Sequence, residues 1–226
     1  MTIAKHFRRA SIAAAVGVVG LTVVPLSSQA APTVPTTLHY NIVSEFCPSC
    51  FITANVDLFP SGADDSVVAV ALPFPVYVWG VKHTTAWVSS NGNVQFVGPG
   101  ETTFTNQPLP STALSPKGAV APYWDDLVVN GSGTGTGVFA RHFHSDFIIS
   151  WRGYEFGNTA NTVRVEVIFF KNSRTIEMNY INANPGGGSS ATIGIQKTGT
   201  GPASQWSYNT AGAVADGTTL LFEPAG

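Results

Sequence analysis

The chain has 226 residues, 44% of them hydrophobic, enough for one substantial core. Only 11% are charged, less than half the ~25% of an average soluble domain, so Ser, Thr, Asn and Gly must wet its surface. Eleven Lys and Arg against thirteen Asp and Glu exclude the basic excess of a nucleic-acid binder, and low charge with many aromatics excludes a disordered chain.

The N-terminus carries a positive stretch (Lys5, Arg8, Arg9), then an apolar run from Ser11 to Val24 that Pro25 breaks. Ser28-Gln29-Ala30 supplies the small residues of a signal-peptidase site. Residues 1–30 therefore read as a secretory signal peptide, cleaved between Ala30 and Ala31. The apolar run is short of the ~20 residues that span a bilayer. Arg8-Arg9 hints at twin-arginine export, but Ser11 and Ile12 stand where that signal has a bulky apolar pair, which favours the general secretory route. Cleavage removes three of the eleven basic residues and leaves eight against thirteen acidic ones. No second stretch approaches membrane length. The expected product is a secreted, extracellular protein without a membrane span.

Thr36–Val43 is the first strand candidate. Cys47-Pro48-Ser49-Cys50 follows, and then Ile52, Ala54, Val56 and Leu58 alternate with Thr53, Asn55 and Asp57. That period of two predicts a strand over Phe51–Phe59. A redox C-x-x-C needs a helix after the motif, whereas a strand follows here, and export favours oxidation. Cys47 and Cys50 are expected to form a structural disulfide closing a tight turn. Residues 31–62 form an N-terminal set of strands with this turn, packed on the body of the domain at 63–226.

Val67–Leu72 and Val76–Val81 are the next strands. Thr84–Ser90, Asn91-Gly92 and Asn93–Val97 then predict a hairpin with a two-residue type I′ turn. This register sets Trp87 opposite Phe96 and Ser89 opposite Val94. It puts Trp87, Val94 and Phe96 on the core face and Gln95 on the solvent face. Beyond the glycine loop Gly131–Gly137, strands are predicted at Val138–His144 and Asp146–Trp151. Val163–Phe169 and Ile176–Tyr180 alternate on either side of the polar turn Lys171–Arg174, a second hairpin. After the loop Pro185–Ser190 come Ala191–Gln196 and Thr218–Phe222. About a dozen short strands with local connections predict an all-β fold, an antiparallel two-sheet β-sandwich of jelly-roll-like kind with little or no helix after the signal peptide.

The order of the segments resembles a known family. Gly62-Ala63-Asp64-Asp65 precedes a strand ending in Leu72-Pro73-Phe74. Trp79-Gly80, Val88-Ser89-Ser90-Asn91-Gly92 and Pro108-Leu109-Pro110 follow, then Ala121-Pro122-Tyr123-Trp124-Asp125-Asp126-Leu127. Phe147–Trp151, the Val163–Tyr180 hairpin and Ala191–Gln196 complete the series over roughly Asp64 to Phe222. This resembles the nidogen-like extracellular β-sandwich and its relatives in secreted bacterial proteins. The resemblance implies an adhesive or matrix-associated role, with an extracellular protein or glycan as partner, rather than catalysis.

Candidate chemistry in the residues is sparse. His142 and His144 are spaced i, i+2 on a strand, which suits two metal ligands; the competing reading is two solvent-facing side chains with Phe139 and Phe143 turned inward. Asp125 and Asp126 offer adjacent carboxylates, either for Ca²⁺ with carbonyls of Gly131–Gly137 or as acceptors of backbone N–H groups that fix a loop. Glu155, Glu166 and Glu177 could furnish a glycosidase pair but lack the clustering of one. No G-x-S-x-G, H-E-x-x-H or phosphate-binding loop occurs. The expectation is a non-catalytic binding or adhesion module without an obligatory cofactor. A carbohydrate-binding module is the alternative, and a jelly-roll hydrolase a more distant one.

Overall fold

The computed structural model describes residues 39–114, 116, 118–131, 135–183 and 186–225. The signal sequence, the start of the first predicted strand, Ser132–Thr134 of the glycine loop and Pro185 lie outside the described residues. The described residues belong to one compact unit. They form fourteen strands and no helix: β1 Tyr40–Phe46, β2 Val56–Asp57, β3 Val67–Val78, β4 Val81–Ser89, β5 Asn93–Gln95, β6 Ala119–Trp124 and β7 Leu127–Val128, then β8 Gly137–Phe143, β9 Asp146–Glu155, β10 Asn158–Phe170, β11 Ile176–Ala183, β12 Thr192–Gln196, β13 Ala203–Tyr208 and β14 Thr218–Pro224.

The strands make two antiparallel sheets. The larger runs β1-β14-β11-β10-β9-β8-β2, with β7 extending the β8 position along the end of β9. The smaller runs β13-β12-β6-β5-β4-β3. Alternation packs Ile149, Trp151, Val165, Val167, Met178 and Phe222 of the larger sheet against Val88, Val94, Val120, Ile193 and Ile195 of the smaller. Two core aromatics also tie the sheets through their polar tips. Trp151 Nε1 donates to the Ser89 carbonyl at 2.8 Å, and the Tyr180 hydroxyl donates to the Pro122 carbonyl at 2.8 Å. One extra residue in β6, opposite the Thr192–Gly194 step of β12, turns both Val120 and Tyr123 into the core.

Both outer faces are covered as well. Over the larger sheet lies the segment after the disulfide, where Ala54 packs on Phe139, Ile148 and Ile168. Its backbone bonds go to side chains of the sheet, not to a neighbouring strand: Ile52 N–H to Glu166, and the Thr53 and Ala54 carbonyls to Arg141 and Arg152. The strand predicted over Phe51–Phe59 is therefore confined to Val56–Asp57, paired with β8. Over the smaller sheet lies the 98–114 segment, where Leu114 joins Ala119, Ala121 and Trp124.

The first hairpin has a different register from the predicted one. Trp87 faces Gln95, Val88 faces Val94 and Ser89 faces Asn93, so the loop is Ser90-Asn91-Gly92. Gly92 alone of these has positive φ, at 67°, and a Cβ there would fall on the Tyr123 carbonyl. Asn91 Oδ1 accepts the Leu127 N–H at 3.0 Å, so the Asn side chain is spent on joining loops. Val94 and Phe96 face the core as predicted, but the shift turns β4 over, so that Val88 joins them and Trp87 stands with Gln95 on the covered outer face. There the Trp87 ring lies against Gly98, and Gln95 is fully buried. A two-residue turn with both φ positive does exist, at Trp79-Gly80 inside the predicted Val76–Val81 strand, joining β3 to β4.

A further correction concerns β8. Val138 and Ala140 face the core between the sheets, while Phe139 packs under the 51–54 cover and Phe143 is exposed. Phe139 and Phe143 are thus on the outer face, and the alternation is offset by one from the predicted assignment.

Candidate functional site

The sequence candidates separate in space. His142 stacks edge-on to Phe74 with centroids 5.8 Å apart, while His144 lies beyond β8 in the turn, at φ 57°. Neither belongs to a three-ligand group among the described residues. Cys47 and Cys50 form a disulfide, as expected, and the turn it closes leads directly into the cover of the larger sheet.

Asp125 and Asp126 diverge from the end of β6. Asp125 Oδ1 accepts the Asp126 N–H at 2.9 Å, and Oδ2 accepts the Ser190 hydroxyl at 2.7 Å. The same hydroxyl lies 3.2 Å from Glu155 Oε1, so one serine bridges two carboxyl groups. Glu155 also accepts from Asn161 at 2.6 Å and from the Tyr123 hydroxyl at 3.4 Å. Burial pushes Asp125 up to about 6, against the opposing pull of its hydrogen bonds from Ser190 and Asp126. Burial and the neighbouring Glu155 and Asp125 raise the Tyr123 phenol as well. These groups pin the β6–β7 corner to the β9–β10 and β11–β12 connections.

Asp126 points to the other side, where its carboxylate meets those of Asp64 and Asp65, with ligand atoms within 4.8 Å of one another. Burial, and then repulsion from Asp65 and Asp64, raise the Asp126 pKa. Three carboxylates form the hard-oxygen set that calcium takes, although Asn91 Nδ2 already donates to Asp65 at 2.8 Å. Asp64 and Asp65 had figured in the sequence only as part of a family pattern. Their meeting with Asp126 depends on the bridge between Ala63 and Val129, which no local pattern announces.

A second carboxylate pair lies under the 51–54 cover. Asn179 Nδ2 donates to Glu166 Oε1 and to Glu177 Oε1, each at 2.9 Å, while Thr219 donates to Asn179 Oδ1 at 2.7 Å. Burial pushes Glu166 up to about 8, opposed by hydrogen bonds from Asn179 and the Ile52 N–H. Glu155 is not part of this pair, so the three glutamates do not converge.

Cavities at the surface avoid both pairs. One, about 420 Å³, is lined by Ala183, Gly186 and Gly187 and by small residues of the 211–216 connection, with Asp216 as its one carboxylate. A second, about 200 Å³, is apolar and lies beside His83, Gly118 and Lys197. Burial lowers the His83 pKa. Exposed aromatics occur on β13, where Trp206 and Tyr208 are about one-third accessible.

A family model described as NIDO related matches residues 51–223, most of the chain. The chain belongs to the NIDO-related family. The match begins at the segment covering the larger sheet, so the NIDO-related domain includes that cover as well as the sandwich from Asp64 onward. No curated protein and no solved structure gave a match. The NIDO-related fold and the Cys47–Cys50 disulfide are compatible with an extracellular setting.

Proposed function

We propose that this NIDO-related domain is a secreted, non-catalytic module that binds an extracellular protein or glycan at a cell surface or in a matrix. One observation carries the reading. Apart from the Asp64/Asp65/Asp126 cluster, the two carboxylate pairs brought together by folding are engaged in internal hydrogen bonds, Asp125/Glu155 through Ser190 and Glu166/Glu177 through Asn179, and among the described residues neither lines one of the cavities above. A glycosidase needs its two carboxyl groups free on either side of a cleft that admits sugar. Here they hold connections in place. The apolar run and cleavage pattern of residues 1–30 support export.

A glycan is the second reading, favoured by Trp206 and Tyr208 on the edge strand β13. An indole and a phenol two residues apart on one strand, each about one-third accessible, suit stacking on a sugar ring. A glycan array, run beside affinity capture from the producing cell's envelope, tests both readings. Retention of a protein that survives deglycosylation supports the first. Glycan binding lost in Trp206→Ala supports the second. Turnover of a bound polysaccharide would overturn the non-catalytic assignment.

A further inference from the structure

Among the described residues the two sheets end in four edges, and three of them are blunted. β3 carries Pro73 and Pro75 and shifts register between Ala71 and Val76. β13 shifts register against β12 between Ile193 and Gly194. β2 has only two residues. Short strands, prolines and bulges are the devices by which folded proteins prevent edge pairing. β1 has none of them. It runs seven residues in unbroken register with β14, without Pro or Lys.

The direction of its backbone groups follows from its flanks. Cys47 N–H donates to the Gly217 carbonyl, and Ala225 N–H donates to the His39 carbonyl. Odd-numbered residues therefore exchange hydrogen bonds with β14, and even-numbered ones turn outward. Tyr40, the first of these, bonds through its N–H and carbonyl to the Ser204 hydroxyl of β13. Ile42, Ser44 and Phe46 then present their N–H and C=O groups along the open edge. Beside them stand two exposed apolar side chains, Val43 at 38% and Phe46 at 78% accessible.

We propose that β1 is a homodimerisation edge, pairing antiparallel with β1 of a second copy about a two-fold axis at Ser44. This register matches the outward groups: Ser44 pairs with Ser44, and Ile42 with Phe46. It also suits the charges. Glu45, the only charged residue of β1, falls opposite Val43 of the other copy, so no like charges meet. Each Phe46 is carried from water to the Ile42 end of its partner strand. The two larger sheets become one continuous sheet across an isologous interface. Seven-residue strands bury less than a standard interface, so the dimer is concentration-dependent rather than tight.

Sedimentation equilibrium of the purified protein, from micromolar to millimolar, is the test. A reversible monomer–dimer equilibrium is expected, with dimer affinity falling at least tenfold in Ser44→Pro, which removes an outward N–H, and in Phe46→Lys. The Lys variant keeps every backbone donor, so it reads the edge even if the Pro variant folds poorly. Under oxidising conditions Ser44→Cys should yield a covalent dimer and Asn41→Cys should not, because the axis passes through residue 44. A monomer at every concentration would overturn the proposal. So would a dimer indifferent to Phe46→Lys and not trapped by Ser44→Cys, or a monomer whose β1 edge takes only an unrelated strand peptide.

Discussion

Gln95 joins the smaller sheet to its cover. Its amide donates to the Glu101 carbonyl at 2.8 Å and to Asn93 Oδ1 at 2.9 Å, while its own carbonyl accepts the Glu101 N–H at 2.8 Å. Gln95→Ala should therefore cost about 1–3 kcal/mol, because it strands partners in a dry setting. On a solvent face the same change would cost ~0.5 kcal/mol or less. Chemical denaturation distinguishes the two, and a near-neutral Gln95→Ala would restore the two-residue turn. Asn91-Gly92 suggested that turn because the pair tolerates positive φ, and nothing local reveals that the Asn side chain is already engaged with Leu127 and Asp65. Glu166 offers a second test at this scale. Its folded pKa of about 8 lies above the unfolded 4.5, so the folded state holds a proton that the unfolded state has lost. The resulting stability is fully present below pH 4.5 and is lost as pH rises through 8. Asp125 acts with the same sign over its lower window, up to about 6. Glu166→Gln keeps an acceptor for Ile52 and Asn179 without a titrating proton. Its melting temperature should fall less than that of the wild type between pH ~5 and ~9. Equal slopes in the two proteins would show that Glu166 is not the group responsible.

Among the elements, the β10–β11 hairpin was legible because both strands alternate cleanly about a polar turn. Its register indeed pairs Val165 with Tyr180 and Val167 with Met178. The alternation did not reveal what covers the polar side. Glu166, Glu177 and Asn179, the polar positions of the alternation, are buried beneath the 51–54 segment. That segment alternates like a strand yet makes its bonds to Glu166, Arg141 and Arg152, so its period of two reflects packing on a sheet rather than pairing within one. The disulfide closes only a short loop before it, with two residues between Cys47 and Cys50. Replacing both cysteines by Ser should therefore cost about 2 kcal/mol or less. Ala54→Asp, which puts a charge against Phe139 and Ile168, should cost about 3 kcal/mol or more. Thermal denaturation of the two variants settles the ranking. The reverse order would mean that the turn, not the packed cover, holds this face.

At the scale of the molecule, sparse charge and abundant Asn, Gln, Ser and Thr fit a sandwich partly covered on both outer faces by irregular chain. Buried Asn91, Asn93, Gln95, Asn179 and Gln196 make the bonds that such chain cannot make with itself. The sandwich and its family were accessible from strand spacing and from the Ala121–Leu127 segment, whereas the covers were not: the 51–54 segment alternates like a paired strand, and the 98–114 segment has no period. Asp125 was legible as a loop-fixing acceptor. Its partners Glu155 and Ser190 are 30 and 65 residues away along the chain and become neighbours only through the sheet order. Under the proposed function, this architecture holds a ligand rather than converting one. The most direct test captures the protein's extracellular ligand and measures its molecular mass after prolonged contact with wild type and with the Asp125→Asn/Glu155→Gln variant. The ligand should be retained at unchanged mass by both proteins; a ligand shortened by the wild type and left intact by the variant would show a converting site instead.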